Sequence, residues 1–129
     1  MRKDGLWHPR LVALITGLGH TEMLVIADPG LPVPRGVETI DLVWASHQPR
    51  FLPVLQAVLG ELIVEAAVVA NELVEPELLA GIEEQLAGIP LTRIPPEQLK
   101  ESVRLAQAVV RTGEVTPYSN VVLTAGVAF

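Results

Sequence analysis

Three histidines, one tyrosine and no cysteine set the side-chain chemistry open to this chain of 129 residues. His20 follows Gly19 where a first helix gives way to a strand, a place where backbone approaches a ligand closely and an imidazole is not locked into a core. An imidazole there can give and take a proton near neutral pH, the work of a general acid/base. Asp28 stands just past the carboxyl end of that strand, where open α/β sheets place ligand groups, although Asp28-Pro29-Gly30 also fits plain turn chemistry. After Pro117, the run Tyr118-Ser119-Asn120 offers a phenol, a hydroxyl and an amide together, a set suited to a polyol and equally readable as a turn entering a last strand. His8 and His47 read as surface or hydrogen-bonded structural residues.

Several classes of chemistry are excluded. There is no Gly-rich phosphate loop, no His-Glu-x-x-His, no Gly-x-Ser-x-Gly and no cluster of metal ligands. Glu61 and Glu65, four apart, and the adjacent Glu83 and Glu84 read as solvated acidic residues on helix faces. A net charge of −6 gives no basic field for nucleic acid or an anionic membrane. Without cysteine there is no disulfide, thiolate zinc or iron–sulfur site, and the expected location is the cytoplasm.

Membrane insertion fails on length. The longest stretch free of Asp, Glu, Lys and Arg, residues 115–129, is interrupted by Pro117, Asn120 and Gly126 and falls short of the ~18 to 20 apolar residues a spanning helix needs. Arg2, Lys3 and Arg10 before the apolar run 11–18 imitate a signal peptide, but the run is short and lacks a small-x-small cleavage pattern. Half the residues are nevertheless hydrophobic and the mean hydropathy is +0.42. Such composition in one domain predicts an oligomer.

These side chains must be held by alternating elements. Pro9 opens a first amphipathic helix ended by Gly17 or Gly19; the continuous apolar run 23–27 is a buried strand, and 37–42 a short one. Helical spacing from Phe51 to Leu62, a strand over 66–70, a helix over 77–86 stopped by Gly88 and a strand over 89–94 follow. Pro95-Pro96-Glu97 opens a helix carried to Val110 by the stripe Leu99, Val103, Ala106 and Val110; 111–114 is a turn and 120–127 a closing strand. The pattern predicts one α/β domain over 1–129, a three-layer α/β/α sandwich with a mostly parallel central sheet.

At these residues the chain resembles the D-ribose pyranase family, within the superfamily shared with L-fucose mutarotase. The matching blocks are Gly19-His20-Thr21-Glu22, the loop from Asp28 to Pro34, Val64-Glu65-Ala66-Ala67, and the tail through Arg111-Thr112-Gly113-Glu114 and Pro117-Tyr118-Ser119-Asn120 to Ala125-Gly126-Val127. The resemblance implies an isomerase that interconverts pyranose and furanose forms, or anomers, of a free monosaccharide, with ribose favoured by the Asp-Pro-Gly-Leu-Pro loop. It makes His20 the acid/base residue and Asp28, Tyr118, Ser119 and Asn120 the sugar-binding residues, with no cofactor. Alternatives are a sugar-binding or transport-associated protein without turnover and an L-fucose-type mutarotase.

One departure bears on those alternatives. Pro96 stands where the family carries a second sugar-binding histidine, so either Glu97, His47 or His8 compensates, or specificity or activity is altered. The resemblance also implies ring-shaped homo-oligomers, pentamers stacking into decamers. If residues 21–27 are extended, His20 and Asp28 of one chain lie about 20 to 26 Å apart, too far to grip one pentose, and the site is expected to be shared between subunits. The uncharged tail from 115 is expected to be covered by a neighbouring subunit.

Overall fold

Alternation along one strand decides the architecture. The computed structural model describes residues 1–129, and in β1 (Met23–Ala27) Leu24 and Ile26 join one apolar cluster while Val25 and Ala27 join another, all four fully buried. A strand covered on both faces needs helices on both sides.

The larger cluster receives α1 (Pro9–Gly17) through Leu11 and Ile15, α2 (Phe51–Leu59) through Phe51, Val54, Leu55 and Val58, and α3 (Pro76–Gln85) through Leu78 and Ile82. The smaller receives α4 (Pro96–Arg104) through Leu99 and Val103. Three helices on one face and one on the other give the expected three-layer sandwich. Helix entry is local chemistry: His8 Nδ1 accepts the Leu11 N–H at 3.2 Å, and the Glu75 carboxylate accepts the N–H groups of Glu77 and Leu78. Pro9, Pro76 and Pro96 each occupy a first turn, where a missing N–H costs nothing.

The remaining strands are β2 (Glu38–Asp41), β3 (Val64–Ala70), β4 (Leu91–Ile94), β5 (Ala108–Arg111) and β6 (Val121–Ala125), and the six-stranded sheet runs β2-β5-β1-β6-β3-β4. Pairs β2/β5, β5/β1 and β3/β4 are parallel; β6 lies antiparallel between β1 and β3. The sheet is therefore mostly parallel with one reversed strand at its centre.

Two sequence expectations are corrected. The fourth helix stops at Arg104, and residues 108–111, expected as its end plus a turn, form β5. Ala106 and Val110 continue the helical stripe, but Ala108, Val109 and Val110 are each fully buried between β2 and β1. The strand of the uncharged tail also needs no neighbour to cover it: Val121, Val122, Leu123 and Ala125 are at most 1% exposed because β6 is an interior strand of this chain's own sheet, while Val115, Val127 and Phe129 stay exposed. No helix is long and apolar enough to cross a membrane.

Candidate active site

The two ends of β1 carry two polar centres. At its entry, Glu22 N–H bonds the Gly19 carbonyl at 3.1 Å and the Glu22 carboxylate accepts Gly19 N–H at 2.8 Å, closing a tight turn. Thr21 takes φ +70°, and its N–H is anchored on the Ala125 carbonyl at 2.9 Å. This strained corner turns the His20 side chain outward, 53% exposed, with Nε2 2.9 Å from Glu65 Oε2. A carboxylate only accepts, so Nε2 is the donor in this pair and, in the neutral ring, Nδ1 is the nitrogen without a proton.

Glu65 owes its position to an irregularity. The register between β3 and β6 shifts between Val64 and Ala66, leaving Glu65 as the extra residue of a bulge, and bulges re-aim side chains. Its reading as a solvated helix residue is thus overturned: it lies on a strand and holds the imidazole.

At the exit of β1, Asp28 and Asn120 clasp each other. Asp28 N–H donates to Asn120 Oδ1 at 2.9 Å, Asn120 Nδ2 donates to Asp28 Oδ2 at 3.2 Å, and Gly30 N–H donates to Asp28 Oδ1 at 2.8 Å. Tyr118 sits at φ +62° and is 42% exposed, its carbonyl accepting the Asn120 N–H at 2.8 Å. Asp28, Tyr118 and Asn120 line one cavity of about 290 Å³ together with Gly30, Leu31, Pro32, Pro117 and Lys100. Ser119 differs from its neighbours. It is fully buried, and its hydroxyl donates to the Thr116 carbonyl at 2.5 Å, so it shapes the turn from inside.

A polar brace holds this end rigid. The buried polar residues of the chain, Thr112, Glu114, Ser119 and Asn120, all fall between β5 and the start of β6. Thr112 donates both N–H and hydroxyl to the Ala27 carbonyl at 2.8 and 2.9 Å. Gly113 lies so close to the 45–48 loop that a Cβ would come within 2.6 Å of the Gln48 nitrogen. Glu114 accepts from Arg50 Nε, Phe51 N–H, and the N–H and hydroxyl of Thr116, tying the segment before Tyr118 to the start of α2.

That carboxylate has a measurable signature. Burial opposes its charge, but Arg50, Phe51 N–H and Thr116 together outweigh burial and bring its pKa from the usual 4.5 down to about 2. The stabilisation is whole above pH 4.5 and is lost as pH falls toward 2. Glu114→Gln is expected to cost about 2 to 3 kcal/mol at pH 7, and the gap from the unsubstituted protein should close in denaturant titrations between pH 4.5 and 2. A gap that stays constant over that range would refute this account of Glu114.

The histidine alternatives to Pro96 fall elsewhere. His8 caps α1, and His47, at φ +65° with its N–H on the Gly113 carbonyl, is exposed in the 45–48 loop. Neither lines the cavity of Asp28, nor does Glu97. The residue of α4 that does line it is Lys100, which sequence spacing does not single out. Its only sequence signal is its place beside Leu99, on the flank of the helix's apolar stripe.

Comparison with known proteins places this geometry in company. The model of the RbsD / FucU transport protein family matches residues 1–128. The chain is 48% identical to a D-ribose pyranase of Symbiobacterium thermophilum, with all of both chains covered. Its fold superposes with a TM-score of 0.96 on Bacillus subtilis RbsD complexed with D-ribose, at 37% identity over the whole of both chains. A fucose mutarotase of Streptococcus pneumoniae, in complex with L-fucose, is similar in fold with a TM-score of 0.81 at 21% identity, covering 94% of each chain.

Proposed function

The chain belongs to the RbsD / FucU transport protein family, and from that premise we propose that it is a mutarotase-type isomerase that interconverts the pyranose and furanose forms of free D-ribose. The observation that carries this reading is the full-length identity of 48% to a D-ribose pyranase. The geometry supports it: a basic imidazole nitrogen at one end of β1 and a rigid hydroxyl-binding cavity at the other.

Ring opening needs two proton movements and no redox change. The ring oxygen gains a proton as the C1–O bond breaks, the C1 hydroxyl loses one, and the open-chain aldehyde results; attack on C1 by a different hydroxyl reverses both movements in the other ring size. His20 is the acid/base residue for these transfers. Glu65 fixes its tautomer and faces the imidazolium when the proton is held. Asp28, Tyr118 and Asn120 orient the sugar hydroxyls, with Ser119 behind them. No cofactor enters the chemistry.

The five residues of β1 alone span about 16 Å, so one pentose cannot touch His20 and Asp28 of the same chain. The site is therefore formed between copies, His20 of one chain meeting the Asp28 and Tyr118 region of the next, in a homo-oligomer of pentamer or decamer type. Apolar surface supports assembly: Trp44, Val74 and Leu105 are 74%, 71% and 73% exposed. The cysteine-free composition suits a cytoplasmic location.

Saturation-transfer NMR on D-ribose is the direct test. Exchange between pyranose and furanose signals should accelerate on adding catalytic amounts of protein. Rates equal to those in buffer would overturn the reading, and ligand broadening without faster exchange would favour a binding protein, the alternative that Pro96 raises.

A further inference from the structure

We propose that Glu22, steadied by Gln107, is the residue that positions His20 for proton transfer; this rests on the acid/base reading of His20 above. The question is what fixes an exposed imidazole. Its one side-chain bond is to Glu65, and neither the N–H nor the carbonyl of His20 makes a hydrogen bond within the chain. Its placement is therefore decided by the residues on either side.

Thr21 is secured by backbone alone, through its N–H on the Ala125 carbonyl. Gly19 has no such anchor on another element. Glycine has the widest backbone freedom of any residue, and both polar groups of Gly19 go to Glu22: its N–H donates to Glu22 Oε2 at 2.8 Å, and its carbonyl accepts the Glu22 N–H at 3.1 Å. Without the Glu22 carboxylate, that second bond alone would hold the Gly19 side of the corner.

Glu22 is itself fixed from two strands. Its carbonyl accepts the Ala125 N–H of β6 at 2.8 Å, and its other carboxylate oxygen, Oε1, accepts from Gln107 Nε2 at 3.2 Å. Gln107 stands directly before β5, with its own N–H on the Met23 carbonyl at 2.8 Å. The carboxylate is thus held between the entry of β5 and Gly19, and neither of its oxygens bonds the imidazole. Its part is to supply two acceptor positions, not a charge. Glutamine can fill that part, since its Oε1 accepts the Gly19 N–H while its amide donates to a Gln107 turned to present its own carbonyl oxygen. Alanine cannot, and a reacting group displaced by about 1 Å can lose about 10²-fold in rate.

The test is kinetic, by exchange of D-ribose ring forms. Glu22→Ala should lower kcat about 10- to 100-fold and leave KM within about threefold, because the residues that hold the sugar lie at the other end of β1. Glu22→Gln should recover most of the lost kcat. Gln107→Ala should show a smaller loss, and adding it to Glu22→Ala should cost nothing more, as the two act through one contact. In ¹⁵N-labelled protein, the amide signals of Gly19 and His20 should broaden in Glu22→Ala and sharpen again in Glu22→Gln. An alanine variant with kcat within twofold of the unsubstituted protein, a glutamine variant as slow as the alanine one, or a loss of kcat that merely tracks a lowered melting temperature would each overturn the proposal while the isomerase reading stood. Unsubstituted protein that fails to accelerate the exchange would overturn both.

Discussion

His20→Ala is expected to lower the enzyme-dependent rate of ribose ring interconversion by about 10²- to 10⁴-fold while leaving the protein folded. The size follows from what the imidazole contributes. Both ring opening and ring closure require a proton to arrive at one oxygen as another leaves, and water performs this only slowly without a positioned group. The fold is spared because the side chain is 53% exposed and bonded only to Glu65, itself 42% exposed, so its removal opens no cavity. Saturation-transfer exchange rates, read beside a thermal melt, check both halves. A variant that retains its rate would remove His20 from the chemistry; one that loses rate and melting temperature together would make it a structural residue.

The second large effect is a recovery. Asp28→Ala should also be inactive, since it removes the carboxylate we propose to orient the sugar and unclasps Asn120. When His20→Ala and Asp28→Ala chains are unfolded together and refolded as mixed assemblies, activity should return to about a quarter of the unsubstituted level, because random head-to-tail assortment gives that share of interfaces an intact His20 and an intact Asp28. A site built within one chain predicts nothing of the kind, as every chain in the mixture carries a lesion. A mixture no more active than its parents would refute the shared site.

Much of the fold is legible in the amino-acid sequence. The strand 23–27 is visible as an unbroken apolar run because both of its faces are covered, and the helices at Pro9, Phe51 and Pro96 announce themselves by proline in the first turn and an apolar stripe. The α4–β5 junction is not. Ala106 and Val110 keep helical spacing across it and neither glycine nor proline interrupts, so the only cue to β5 is the adjacent pair Val109-Val110, short enough to be absorbed by the helix.

In the candidate site, the loop and tail residues are readable by type, while their partners are not. Glu65 reaches His20 because of a bulge, and a bulge is a property of two paired strands that no single segment displays. Lys100 comes to line the cavity of Asp28 only once α4 is laid on the sheet. Ser119 falls in the turn where its neighbours Pro117 and Tyr118 suggest, but its direction is hidden: neighbours in a turn point to different sides, and this one points inward.

The reversed strand at the centre of the sheet sets an order of assembly. β1, β2 and β5 can pair among themselves, as can β3 and β4, but β6 alone joins the two groups. It is the last of the six in chain order, so during synthesis two half-sheets with unpaired edges must wait for it. The same strand starts directly after Asn120, which clasps Asp28, and ends at Ala125, whose carbonyl anchors the turn of His20. A chain that has not yet inserted β6 therefore keeps unpaired strand edges and lacks both the Asn120 clasp on Asp28 and the anchor of the His20 turn, so the step that seals the sheet completes the two ends of β1 at once.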